Sequence, residues 1–225
     1  MTLSLRHLGV ASVLVSTLSG CAGLNTLNSA ATPTDLFTLT PKSTFDPGLP
    51  RLRQQIVVEE PTANAAINSD RISVQPTPLQ VKFLPGVRWI DTAPSIVQTL
   101  LIESYENTNK VDAVGRSAVT LRADYTIVTD LREFQAQLKP GSGPNALLSV
   151  DVTMNMKVVE ATEDRIIASR SFEAIVNAAS DSPEDIAAAF DIALGRVMRN
   201  SVEWSIRRMH SDTARMQAEA AELAQ

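Results

Sequence analysis

Apolar and polar residues alternate along this chain with a period that changes several times, and those changes divide it into strands and helices. Residues 35–40 (DLFTLT) alternate, residues 55–59 (QIVVE) form a short apolar run stopped by Pro61, and residues 71–75 (RISVQ) alternate up to Pro76. Residues 79–83 and 87–90 flank Leu84-Pro85-Gly86, a turn-forming combination, and predict a hairpin. The period then lengthens. Ile96, Val97, Leu100, Leu101 and Tyr105 recur at helical spacing behind Pro94, where a first-turn proline is tolerated, which predicts an amphipathic helix ending near Asn107.

Three longer strands are expected next. In residues 121–138, Leu121, Ala123, Tyr125 and Ile127 share one face, whereas Phe134, Ala136 and Leu138 fall on the other. A bulge near Asp130 would reconcile the two halves. Residues 148–160 alternate most cleanly, with Val150, Val152, Met154, Met156 and Val158 on a face to be buried and Asp151, Thr153, Asn155 and Lys157 on a wet one. Gly141-Ser142-Gly143-Pro144 would close the first hairpin, and Glu163-Asp164 the second, before Ile166, Ala168, Phe172, Ala174 and Val176 line one face of residues 165–176. The last element is a helix opened by Ser182-Pro183-Glu184-Asp185, a capping-box pattern with proline at the first helical position, and continued by Ile186, Phe190, Ala193, Leu194, Val197, Val202 and Ile206. Beyond Arg207 only Met209, Met216, Ala220 and Leu223 form a faint stripe, which favours a fraying solvated end over a partner-binding helix. The pattern predicts an α+β fold, a mostly antiparallel sheet with two main helices packed on one face.

The N-terminus has a different character. Arg6 and His7 precede an uncharged, mostly apolar stretch at residues 8–18, and Leu18-Ser19-Gly20-Cys21 follows it. Eleven helical residues span roughly 16 Å, against a hydrocarbon core of about 30 Å, so this stretch is too short to cross a membrane. It reads instead as a secretory signal ending in a bacterial lipobox, with Cys21 as the lipid-attachment site. An ordinary signal peptide with a chance cysteine, or a buried helix of the domain, is the alternative, but Cys21 is the only cysteine in the chain. A diacylglycerol thioether and an amino-terminal acyl chain of the palmitate type supply more than the two lipid signals that already give stable anchoring. Ala22 stands where an aspartate usually retains such proteins in the inner membrane, so the periplasmic face of a Gram-negative outer membrane is the expected location.

The resulting division is residues 1–20 as a cleaved signal, 21–34 as a lipidated N-terminus and flexible tether, 35–209 as one domain and 210–225 as a polar tail. Residues 22–34 are small and polar, and thirteen such residues have a root-mean-square reach of about 20 Å. Without residues 1–20 the chain carries 19 Lys and Arg against 25 Asp and Glu. That mild acidity argues against nucleic acid as a partner.

Candidate chemistry is sparse. His210, in the polar tail, is the one histidine left after cleavage, poorly placed to serve as a held base. A His/Cys metal cluster is excluded by count, and Gly141-x-Gly143 lacks the third glycine and strand-to-helix context of a nucleotide fingerprint. Glu59-Glu60 and Glu163-Asp164 sit at strand ends, where solvated charge is the default. No enzyme, no catalytic residue, no metal site and no cofactor beyond the lipid on Cys21 are expected. Met154 and Met156 could line a lipid-holding groove but read more simply as core, and Trp89 reads as core before partner anchor.

The order of features resembles a known family. The lipobox leads into Leu36-Phe37-Thr38-Leu39; Asp70-Arg71-Ile72 and Arg88-Trp89-Ile90 follow, with Pro94 opening a helix; Ala123-Asp124-Tyr125 starts a long strand, and Phe172 precedes the capped final helix. Together they resemble the ABC-type transport auxiliary lipoproteins, the PqiC-like family. The resemblance implies an auxiliary component of an MCE (mammalian cell entry) lipid transport system. Its partners would be a periplasmic MCE-domain protein and the ABC permease and ATPase, and it would dock them to the outer membrane. The family has no catalytic motif to carry over. A lipid-carrying lipoprotein and an outer-membrane assembly lipoprotein are the alternatives, and self-assembly into a homo-oligomer is left open.

Overall fold

The computed structural model describes residues 34–117, 122–138 and 147–225. The signal, Cys21, nearly all of the tether, Leu121 and the expected turn at residues 141–144 lie outside the described residues. In chain order the elements are β1 (Asp35–Phe37), β2 (Leu52–Val58), β3 (Thr62–Ala63), β4 (Ser73–Thr77), β5 (Gln80–Phe83), β6 (Val87–Trp89), α1 (Ala93–Asn107), β7 (Val111–Gly115), β8 (Tyr125–Gln137), β9 (Ser149–Glu160), β10 (Arg165–Asn177) and α2 (Pro183–Leu223). The fold is α+β, two helices against a sheet.

The long strands form an antiparallel ladder, β8–β9–β10, which makes most of the sheet's pairings. Its central strand follows its alternation closely: Val150, Val152, Met154, Met156 and Val158 are completely buried. The bulge in β8 falls at Arg132, where the register with β9 shifts between Leu131 and Glu133. One extra residue there returns Phe134 and Ala136 to the face already occupied by Tyr125, Ile127 and Leu131, so all five are buried. A second shift, between Ile166 and Ala168, leaves Ile166 exposed, while Ile167 packs against the core.

The other edge of β8 is filled by three successive parallel strands. Ile56 of β2 lies beside Tyr125, Thr62 of β3 beside Asp130, and Val74 of β4 beside Ala136. β2 is also flanked by β7, again in parallel, which explains its continuous apolar run rather than an alternating one. β7 itself, VDAVG, is too short and too weakly patterned to announce a strand.

The hairpin expected between residues 79–83 and 87–90 does not form. β5 folds back on β4 instead, with Thr77 opposite Gln80, so the turn is at Pro78-Leu79. At Leu84-Pro85-Gly86 the chain leaves this sheet, Gly86 adopting the left-handed conformation (φ 73°) that glycine tolerates without strain. β6 then pairs in parallel with β1, Leu36 beside Arg88.

Both helices start with proline in the first turn. At α2 the Ser182 hydroxyl accepts the Asp185 N–H at 3.2 Å, as the capping pattern predicts. The reciprocal half is relayed: the Ser182 N–H donates to Ser180 Oγ, whose hydroxyl donates to the Asp185 carboxylate. α2 has 41 residues and is about 60 Å long, while the longest strands, of 13 residues, span about 43 Å. Its apolar stripe, Ile186 through Met209, packs on the ladder, and Phe190 joins Trp89 and Phe134 in an aromatic cluster with centroids 4.9–5.9 Å apart. Trp89 is thus a core residue. The helix continues without a break past residue 209 to Leu223, in place of the expected fraying, with Asp212 buried and Met216 packed on the core.

The path of the chain gives the domain two distinct ends. From β1 the chain runs alongside both helices: the backbone N–H and hydroxyl of Thr40 donate to Asp191 at 2.7 and 2.9 Å, the Lys42 N–H donates to Ser104 Oγ at 3.0 Å, and the Asp46 N–H donates to Glu203 at 2.9 Å. It therefore enters beside the N-termini of α1 and α2 and travels toward their C-termini. β2, β3 and β4 return it along β8 to the entry end.

Candidate functional site

One set of polar groups buried inside the domain lies where α2 meets the sheet and α1. The hydroxyl of Tyr125 on β8 reaches Asp212 Oδ2 at 3.1 Å, Thr213 Oγ1 at 3.0 Å and the carbonyl of Met209 at 3.3 Å. Asp212 also accepts from Arg215 at 2.6 Å, one turn along, and from Arg165 of β10 at 3.4 Å. Burial pulls the Asp212 carboxyl upward, but the hydrogen bonds from Arg215 and Tyr125 and the charge of Arg165 outweigh it, so its pKa is held below the ordinary value. Burial, with the adjacent Asp212 charge adding to it, pushes Tyr125 up to about 12. Nearer the middle of α2, Tyr105 of α1 and Ser205 share a hydrogen bond of 2.6 Å, and burial raises the Tyr105 pKa strongly. Both phenols are therefore neutral across the physiological range. Their chemistry is that of hydrogen-bonded fasteners.

The outer face of the ladder carries a second polar set. Glu133, Asp151 and Glu173 occupy neighbouring positions on β8, β9 and β10. Gln135 donates to Glu133 at 2.6 Å, and Thr153 and Gln137 donate to Asp151 at 3.0 and 3.3 Å. Desolvation first, and then the neighbouring acids, raise the pKa values of Glu133 and Asp151.

Among the described residues, surface grooves flank the helices, and two of them include aromatic or large aliphatic side chains. One, of about 480 Å³ between β10 and α2, is lined by Arg170, Phe172, Asn200, Glu203, Trp204 and Arg207. Phe172 and Trp204 stack edge-to-face there at 5.5 Å, and Arg207 pairs with Asp46. The other, of about 370 Å³, lies where the chain enters, between Leu39, Pro41 and Ile90 and the first turns of α1. Met154 and Met156 line neither; they are sealed beneath α2.

Of the residues singled out from the sequence, Cys21 lies outside the described residues. His210 is exposed on α2, Glu59-Glu60 are exposed just after β2, and Glu163-Asp164 form the β9–β10 turn with Glu163 paired to Arg165. Among the described residues, the structure leaves these on separate elements. The sequence reading missed the Tyr125–Asp212 cluster, whose one signal was spacing: Asp212 falls three residues after Met209, on the buried stripe of α2. Among the described residues no group of His, Cys, Asp and Glu could hold a metal, and no helix is long and apolar enough to cross a membrane.

The fold is a sheet with parallel strands added to an antiparallel ladder, covered by a long C-terminal helix. The chain belongs to the ABC-type transport auxiliary lipoprotein component family, whose model matches residues 36–200. That family is a class of transport auxiliary lipoproteins, not of enzymes. Protein XCC0632 from Xanthomonas campestris, described as a DUF330 protein, has 28% sequence identity and superposes with a TM-score of 0.75, covering 80% of this chain and 99% of its own. A second solved structure, of an uncharacterised protein, shares the fold at a TM-score of 0.59 with 10% identity, over 76% of this chain and 97% of its own. The uncharacterised protein bll6063 from Bradyrhizobium diazoefficiens is 26% identical over 188 residues, 82% of this chain. The chain spans about half, 49%, of the length of that relative.

Proposed function

We propose that the mature protein is the lipid-anchored auxiliary subunit of an MCE-type ABC transport system, with Cys21 carrying the lipid and residues 22–34 tethering a docking domain at residues 35–209. The observation that carries this reading is the family match over residues 36–200 behind an in-sequence lipobox. In this role the domain works by binding. It would hold a periplasmic MCE-domain protein, and through it the permease and ATPase, against the inner leaflet of the outer membrane while lipid passes between membranes.

A carrier role receives less support, because the methionine-rich face that could have cradled acyl chains is filled by α2. The test is affinity purification of the lipidated full-length protein from cells expressing the neighbouring transporter genes, with crosslinking before detergent extraction. Recovery of the MCE-domain protein is expected, together with an intact mass that shows acylation at Cys21 and loss of membrane retention in Cys21→Ser. Recovery of the lipoprotein alone from crosslinked cells would sink the docking role, and an unmodified Cys21 would sink the anchor.

A further inference from the structure

Six exposed large apolar side chains lie toward one end of the domain, while Ile166, Ile175, Ile192 and Leu223 are exposed singly elsewhere. Leu79, at the β4–β5 turn, is 100% exposed; Leu36 and Ile90, on the paired β1 and β6 segment, are each 64% exposed; Leu138 and Leu147, just beyond the paired ends of β8 and β9, are 37% and 48% exposed. Val81, on β5, is 43% exposed. Their common location follows from register. Gln75 pairs with Gln137, Gln137 with Ser149, and Ser149 with Asn177, so β4, β8 and β10 finish at this end and β9 starts there. Leu79, Leu138 and Leu147 lie beyond that line.

This is also the end at which the chain enters. Thr40 is bonded to Asp191, eight residues into α2 or about 12 Å from its start, and Leu36 lies four extended residues, about 13 Å, before Thr40. The Asp35 N–H donates to the Gly86 carbonyl at 3.0 Å, which fixes the entry point beside β6. Thirteen residues, 22–34, would separate the lipidated Cys21 from Asp35, a reach of about 20 Å for a small polar segment. With Cys21 as the anchor, a tether of this length would bring the entry end to the bilayer before the rest of the domain.

The charges around the patch nearly cancel, with Arg71, Lys82 and Arg88 against Asp35 and Asp70. Arg71 stacks over the Phe83 ring at 3.6 Å and Lys82 is exposed, while Arg88 is paired with Asp70 at 2.9 Å and Asp35 is exposed. Apolar burial, not attraction between opposite charges, would drive contact, and that suits a bilayer with few net charges.

We infer that this entry-end patch, led by Leu79, docks onto the phospholipid surface in which Cys21 is anchored, so that the domain lies against its own membrane and directs the C-terminal end of α2 away from it. The inference rests on the reading of Cys21 as the lipid anchor. It orients the domain, which anchoring alone does not do.

Lipidation blocks the chain's one native thiol, so a single introduced cysteine can be labelled. Lipidated full-length Leu79→Cys and Ala220→Cys, each carrying an environment-sensitive fluorophore, would be reconstituted into phosphatidylethanolamine–phosphatidylglycerol vesicles containing doxyl-labelled phosphatidylcholine. Burial at the headgroup boundary should give about a twofold loss of emission at position 79, unchanged by high salt, with none at position 220. Equal, unquenched emission at both positions in protein that floats with the vesicles would overturn the docking and leave the anchor standing. An intact mass without lipid, in protein that does not float, would remove the anchor reading and the inference with it. Quenching at 79 that salt abolishes would replace the apolar contact with an electrostatic one and overturn it as stated.

Discussion

Tyr125 and Asp212 are 87 positions apart in sequence and meet at 3.1 Å between the start of β8 and the last third of α2. This contact converts a stretch of helix that is polar by composition into part of the domain. Asp212 is ionised and surrounded by donors, and each donor comes from a segment that has to be fastened: Tyr125 from the sheet, Arg165 from its edge strand and Arg215 from the helix itself.

Asp212→Asn removes the charge and keeps the shape. Hydrogen bonds to charged groups contribute more than neutral ones, and the loss should cost about 2 kcal/mol at pH 7, measured by urea denaturation. The pKa of Asp212 in the folded protein lies below the ordinary 3.8, so the fold favours its charged form. The contribution is present above that ordinary value and is lost as pH falls through the folded one. The gap between native protein and variant should therefore narrow as pH falls below 3.8 and close once pH is below the lowered pKa.

Glu133 has the opposite sign. Its pKa is raised above 4.5 by desolvation and by the charges of Asp151 and Glu173, so ionisation costs the folded state. Glu133→Gln should raise the melting temperature at pH 7, and the gain should shrink as pH falls through the raised pKa and vanish below about 4.5, where the carboxyl is protonated in both states. Melting curves across this range would show it. A variant less stable than the native protein at pH 7 would contradict the assignment.

Tyr105 and Ser205 fasten α1 to α2 through one 2.6 Å hydrogen bond with no exposed atoms nearby. Ser205→Ala leaves the phenol without its partner and should cost about 1–3 kcal/mol. Adding Tyr105→Phe removes the orphaned hydroxyl, so the double variant should be less destabilised than the two single changes added together, with a coupling of about 1 kcal/mol. Strict additivity in a double-mutant cycle would show that the bond contributes nothing.

Much of the architecture was legible because local periodicity and burial agree. The alternation of Val150 through Val158 can satisfy only a strand with one buried face, and Ser182-Pro183 can open only a helix. The β8 bulge was readable for the same reason: Ile127 and Phe134 cannot share a face at an unbroken period of two, and the extra residue proved to be Arg132. The candidate site was less legible. A lipobox is a local signal, but a docking surface depends on which exposed leucines end up together, and Leu36, Leu79 and Leu147 are scattered through the sequence.

The sequence by itself determined the type and order of the main elements and the identity of most core faces, because each rests on neighbours within a turn or a few strand positions. Tertiary structure decided the pairing. β5 joined β4 and not β6, and β2, β3 and β4 shared one edge of β8 in parallel, since strand pairing depends on which distant edge has unpaired N–H and C=O groups to satisfy. It also decided the fate of the last helix. Residues 210–223 have little apolar surface of their own, and they belong to the fold because Tyr125 and Arg165 stand where Asp212 can reach them.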